Sequence, residues 1–236
     1  MRIDVVTIFP DVFAPVLQCS ILKRAQQAGA VEIRVHNLRD WTTDKRRTVD
    51  DRPYGGGPGM VMKPEPIFKA VERIERDCHG ASRRPECQVV LMGPAGVRLD
   101  QALANDLSAR SHLVIICGHY EGVDERVRRH LIDREISIGD YILSGGELPA
   151  MVLIDAVVRL LPGVLGHQDA NEEESFVNGL LEYPQYTRPP VFRGMGVPEV
   201  LRRGDHEHVS TWRKLQAVAR TMTHRPDLRH VHERSH

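Results

Sequence analysis

Three short stretches carry glycine where main chain could serve as a binding surface: MGPAG (92–96), CGHYEG (117–122) and IGDYILSGG (138–146). Each follows an apolar run that reads as a strand. In parallel α/β sheets, ligands sit beyond the carboxyl ends of strands. Glycine lets backbone approach a ligand closely, and exposed N–H and C=O groups can then read adenine or ribose edges. The third stretch is the most telling. Its apolar run is broken at Gly139-Asp140, resumes at Tyr141-Ile142-Leu143, and is broken again at Ser144-Gly145-Gly146. Polar backbone groups in a buried loop must find partners, so a nucleotide-like ligand is the expected partner. Ordinary strand-to-helix turns are the alternative, and Ser144-x-x-Glu147 also matches a capping box for the helix that follows.

Other chemistries have weaker signatures. There is no G-x-x-x-x-G-K-[ST] phosphate loop and no G-x-S-x-G elbow. YGGGPGM (54–60) follows polar TTDKRRTVDDRP rather than a strand, so it is not a dinucleotide loop. A flexible hinge and a flat backbone surface that receives a base both fit it. His206-x-His208 and His230-x-His232 lack matching Cys or carboxylate spacing, so no metal site is expected.

The elements that must position these loops follow from periodicity. RIDVVTIF, VEIRVHNL, QVVLMG, LVIICG and REISIG read as short Val- and Ile-rich strands. Between them lie helical patterns. In KPEPIFKAVERIERDC the set Ile67, Val71, Ile74, Cys78 marks one helix face; DQALANDLSAR and DERVRRHL behave similarly. PAMVLIDAVVRLL is apolar on most sides and predicts a buried helix. Alternating strands and helices argue for an α/β domain with a mostly parallel sheet. GHQDANEEES (166–175) has four carboxylates and no Lys or Arg, and reads as a solvated connector. Beyond it, Val209, Trp212, Leu215, Val218 and Met222 line one helix face, with Asp205 as N-cap. The expected domains are 1–165 (α/β), 166–180 (linker) and 181–236 (small and helical).

Composition bounds the partners. The 236 residues are 41% hydrophobic and 27% charged, with zero formal net charge, so no global field points to nucleic acid. From Leu181 onward, however, ten Lys and Arg face six Asp and Glu. A basic C-terminal module fits a polyanion, and a solvated helical face fits the same count. Four cysteines without a C-x-x-C pair, no signal-peptide layout and no membrane-length apolar run predict a reduced, cytoplasmic, non-membrane protein.

Several stretches taken together carry a resemblance. MRIDVVTIFPDVF, RPYGGGPGMVM, CGHYEGVDERV, SIGDYILSGGELPAM, RLLPGVLG, SFVNGLLEYPQYTRP and GDHEHVSTWR occur in that order between residue 1 and about 213. The set closely resembles the bacterial tRNA (guanine-N1)-methyltransferases, which use S-adenosylmethionine to methylate the guanosine just 3′ of the anticodon. The resemblance implies a SPOUT-type α/β fold, its mostly parallel sheet tied in a trefoil knot, one of the rare exceptions to unknotted topology. It also implies an all-helical C-terminal domain that grips tRNA, and a homodimer whose active sites draw on both chains. Carried over residue by residue, it places the methyl donor on Leu91, Met92, Gly93 and Pro94, on Gly118, Tyr120 and Glu121, and on Ile138, Gly139, Tyr141, Leu143, Gly145 and Gly146. Tyr54, Pro58 and Gly59 would meet a flipped guanine.

The resemblance also implies catalytic roles. Guanine N1 carries a proton at neutral pH, so a carboxylate can act as general base and an arginine can stabilise charge moving to the exocyclic oxygen. The family pattern puts these at Glu174 and Arg159. The chain departs from that pattern at Glu174, where Asp is usual, and Glu172 and Glu173 stand beside it as alternative bases. It departs again in MGPAG, where Ser and Gln usually flank the proline. Magnesium dependence stays open, as do two other readings: a ribose 2′-O-methyltransferase, and a non-catalytic RNA-binding protein retaining S-adenosylmethionine.

Overall fold

The computed structural model describes residues 1–79, 87–165, 174–176 and 178–228. The chain divides into two units, Met1–Gly166 and His167–His236. Most of the expected acidic connector, and the His230-x-His232 pair, lie outside the described residues.

In the first unit the Val- and Ile-rich runs become five parallel strands: β1 (Arg2–Thr7), β2 (Glu32–Asn37), β5 (Cys87–Arg98), β6 (His112–Cys117) and β7 (Arg134–Ser137). Their order is β2-β1-β6-β5-β7, so β2 and β7 are the outer strands. A two-residue antiparallel pair, β3 (Asp50–Asp51) with β4 (Val61–Met62), brackets the glycine-rich 54–60 stretch.

Because strand side chains alternate between faces, one run of apolar residues supplies two cores. Val90, Met92, Leu113, Ile115 and Cys117 point to one side. There they pack against α2 (Ser20–Gln27), α4 (Gln101–Ser108) and α6 (Glu147–Val158), with Leu17 of the short α1 (Ala14–Leu17) alongside. Val89, Leu91, Val114 and Ile116 point to the other, against α3 (Pro64–His79) and α5 (Glu125–His130). The expected α3 face is present: Ile67, Val71 and Ile74 are buried and Cys78 packs at the margin of that core.

Three local readings need correction. MGPAG does not follow the end of its strand: β5 continues through it to Arg98, and residues 93–96 form a bulge that lets both Met92 and Val97 pair with Ile136. Gly96 is required there, since a Cβ would overlap the Glu135–Ile136 backbone. The capping box at Ser144 does not form. Gly146 is the N-cap of α6 and makes no side-chain bond, while the Glu147 carboxylate turns inward. Finally, α6 is not covered on every side: Leu148 and Val152, four residues apart, are exposed.

The second unit, expected to be all-helical, holds α7 (Glu199–Arg202) and α8 (His206–His224) but also a hairpin of β8 (Val191–Phe192) with β9 (Met195–Gly196), strands of two residues each and too short to show a period in the sequence. Asp205 caps α8 as expected, accepting from the amides of Glu207 and His208 at 3.2 Å each. Among the described residues no helix is long and apolar enough to cross a membrane.

Candidate functional site

The three glycine stretches meet. Leu91–Pro94 where the regular β5 ladder gives way to the bulge, Gly118–Val123 after β6, and Ile136–Gly139 with Tyr141–Gly146 at and after β7 line one cavity of about 320 Å³. It sits at the carboxyl end of the sheet, where α/β folds hold ligands, and is of ligand-binding size. The path of the third stretch accounts for its interruptions. Leaving the outer strand β7, the chain crosses the end of β5 and docks on the turn after β6: the Gly146 amide donates to Gly118 O at 2.7 Å, and Gly145 bridges to His119. Ser137 Oγ and the Gly139 carbonyl hold the intervening turn, bonding Gly139 N at 3.2 Å and Tyr141 N at 3.0 Å. A Cβ on Gly146 would lie 2.7 Å from Cys117 Cα and 2.9 Å from Gly118 N, so glycine is what allows the two backbones to touch.

All thirteen residues expected to hold the methyl donor line this cavity. The wall mixes apolar surface (Leu91, Met92, Ile136, Ile138, Leu143) with main chain. That suits a purine face and its hydrogen-bonding edges, so the residues present fit an adenosine-type group. Tyr120 holds a left-handed backbone, φ 59°, a conformation that a non-glycine residue adopts at a cost and that marks functional turns.

Sequence reasoning missed Arg128, His119 and Pro149, which also line the cavity. Arg128 Nε pairs with Glu135 Oε2 at 2.9 Å, and Glu135 in turn abuts Gly93, where a Cβ would overlap its carboxylate. The bulge is thus braced by an ion pair at the cavity margin.

The residues expected to meet the guanine lie elsewhere. Tyr54 is fully exposed and, like Pro58 and Gly59, is not in the cavity wall. Gly59 does reach the site's rim: a Cβ there would overlap the Glu121 carboxylate, and the Glu121 amide donates to Met60 O at 3.0 Å. Left-handed φ at Gly55, Gly56 and Gly57 gives this loop its shape. Arg159 is the half-buried C-cap of α6 and is not in the cavity wall. Glu174 belongs to the second unit, where it lines a separate cavity of about 600 Å³ with Glu182, Tyr183, His206, Arg213 and Lys214. Arg213 there lies over the Tyr183 ring, 4.6 Å from its centroid.

A second polar cluster lies within the sheet. Asp4 is fully buried and accepts from Arg2 Nε (2.6 Å), Arg2 Nη2 (3.0 Å), His36 Nε2 (2.6 Å) and His112 Nε2 (2.8 Å). Burial alone would push its carboxyl up; the bonds from His112, His36 and Arg2 more than reverse this and hold it well below the usual carboxylate range. Ligand atoms of Asp4, Cys78 and His112 lie within 4.8 Å of one another, the spacing a metal would need. A guanidinium already serves as the cation there, and both carboxylate oxygens are saturated, so the cluster is a structural network.

The mostly parallel α/β fold agrees with what the chain is similar to. A family model described as tRNA (guanine-1)-methyltransferase TrmD matches residues 1–231. A tRNA (guanine-N(1)-)-methyltransferase of Dictyoglomus turgidum is 57% identical over 97% of this chain and 89% of its own length. The enzyme of that name from Moorella thermoacetica is 57% identical over 97% and 90%, and that from Bacillus cereus 55% over 97% and 91%. The chain belongs to the tRNA (guanine-1)-methyltransferase family.

Proposed function

We propose that this protein methylates N1 of guanosine in tRNA, at the position just 3′ of the anticodon, with S-adenosylmethionine as donor. The observation that carries this reading is the convergence of three glycine stretches into one cavity at the sheet's carboxyl edge, in a chain of this family. S-adenosylmethionine supplies the electrophilic methyl group. The chain's own residues do the rest. The loops at 91–94, 118–121 and 138–146 orient the donor, so that transfer needs mainly in-line positioning. Tyr54, Pro58 and Gly59 receive the flipped base. The Glu174 carboxylate removes the N1 proton, and Arg159 stabilises the charge that moves to the exocyclic oxygen.

The enzyme acts in the cytoplasm, where its tRNA substrate is, as a homodimer with active sites drawing on both chains. Support for a subunit contact comes from exposed Ile142, Leu148 and Val152, apolar side chains on and beside the cavity loops. The threading of residues 138–146 against the β6 turn fits a trefoil-knotted SPOUT topology.

The test is direct. The protein is incubated with S-adenosylmethionine and unmodified tRNA bearing guanosine at that position, the RNA is digested, and the modified nucleoside is identified. 1-Methylguanosine is expected. A 2′-O-methyl nucleoside would make the chain a ribose methyltransferase. No product despite donor binding would make it a non-catalytic binder.

Affinity for tRNA should also fall steeply with salt. Phosphate contacts by Arg188, Arg202, Arg203 and Arg213 of the second unit release counterions, so log affinity should decline linearly with log salt at a slope of about −0.7 to −0.9 per contact. Filter binding between 50 and 200 mM salt, approximately, measures it; a flat response would remove the second unit from RNA binding.

A further inference from the structure

Thr7, Glu147 and His119 form a chain from the interior of the sheet to the wall of the cavity. Thr7, at the end of β1, is fully buried, and its hydroxyl donates to Glu147 Oε1 at 2.8 Å. Glu147 opens α6 and is only 8% exposed. A carboxylate in a helix's first turn is favoured by the helix dipole, and Thr7 anchors one of its oxygens. The other oxygen, Oε2, lies 3.9 Å from His119 Nδ1. That nitrogen is buried with no hydrogen-bond partner among the described residues.

The His119 ring is held on its remaining sides. Phe9 meets it edge-on at 5.2 Å and Tyr120 at 4.9 Å. Its amide donates to Met62 Sδ at 3.1 Å. Gly145 passes between His119 and Glu147, and a Cβ at that position would overlap both Nδ1 and Oε2. Glycine at 145 is what lets the imidazole and carboxylate face each other. The exposed fifth of the His119 side chain forms part of the cavity wall.

A carboxylate facing one imidazole nitrogen selects the tautomer with the proton on that nitrogen and leaves a lone pair on the other. We infer that Glu147 is a positioning residue that keeps the His119 proton on Nδ1, so that Nε2 serves the cavity as a hydrogen-bond acceptor for an N–H or O–H donor of the nucleoside methyl donor. This rests on the functional reading above. The bond costs little to form because the ring is already oriented.

The test is calorimetric titration of the protein with S-adenosylmethionine and S-adenosylhomocysteine, on wild type, His119→Gln, His119→Leu, Glu147→Gln and the double variant His119→Leu/Glu147→Gln. His119→Leu should lose affinity about 3- to 10-fold, the worth of one hydrogen bond. His119→Gln, which keeps an acceptor near the Nε2 position, should retain most of it. Glu147→Gln should weaken binding while unfolding near the wild-type temperature, and should add nothing to the loss in the double variant, because it acts through His119. Binding of S-adenosylmethionine that ignores His119→Leu, or losses that add in the double variant, would overturn this inference alone. No binding by wild type would overturn the functional reading and this inference with it.

Discussion

Glu174→Gln should lower methyl-transfer turnover by about 10²- to 10⁴-fold, the range of general-base catalysis, while leaving S-adenosylmethionine affinity within about twofold. Guanine N1 is a poor nucleophile until its proton leaves, and an amide cannot take that proton. The substitution keeps the side chain's length and shape, so lost packing could not produce the effect. Affinity for the donor should survive because the cavity that fits it is built entirely from residues 91–149 of the first unit, whereas Glu174 belongs to the second. Single-turnover kinetics beside donor titration separates the two quantities. Glu174→Asp, which installs the residue usual in the resembled enzymes, should retain most of the activity, and Glu172→Gln and Glu173→Gln should turn over near the wild-type rate. If Glu174→Gln is active within about threefold, or if it loses the donor instead, the carboxylate has been given the wrong task.

The second large effect is on stability. Asp4→Ala should cost about 3–5 kcal/mol of unfolding free energy, the penalty for breaking a buried ionic network from one side. The substitution removes the acceptor for four donors at once and leaves His112, itself almost fully buried, without its carboxylate. Urea denaturation followed by circular dichroism measures the change, and a value under about 0.5 kcal/mol would show that solvent or rearrangement replaces the network. The same residue sets a pH dependence. Its folded carboxyl titrates below the unfolded one, so its contribution is complete above the unfolded carboxylate range, about pH 4, and is lost as pH falls below it. Wild type should therefore lose stability on acidification below about pH 4 more steeply than Asp4→Asn does.

Particular residues show how far the amino-acid order alone can be read. The glycine loops are legible because glycine weakens an apolar strand unless a turn or a close approach of backbone requires it, and the order of strands and helices follows from two periodicities. The bulge at 93–96 is not legible, because whether Val97 and Arg98 resume a strand depends on a partner, β7, that lies some forty residues downstream. Glu147 stands out in the sequence for a local reason only. Its partner Thr7 is 140 positions away, and a capping motif speaks only for residues three apart. A carboxylate set in the otherwise apolar GGELPAM is the one available clue that it points inward. His119 is inconspicuous because it sits between two residues, Gly118 and Tyr120, whose backbone or ring offers a more obvious use. The roles proposed for Arg159 and Glu174 come from resemblance, not from local pattern.

A parallel sheet that is not closed into a barrel offers two unsatisfied margins, each able to recruit a stray strand from another molecule. Here both margins are ionised. Glu32 and Arg34 alternate along β2, and Arg134 and Glu135 sit side by side on β7, each tied by an ion pair within its own chain. An incoming strand would have to disrupt those pairs and shed their water before any ladder could grow. The protein can thus keep an unzipped, strongly hydrophobic sheet at high concentration without sheet-to-sheet polymerisation, and neutralising Arg34 together with Glu32 should be felt first as a loss of solubility.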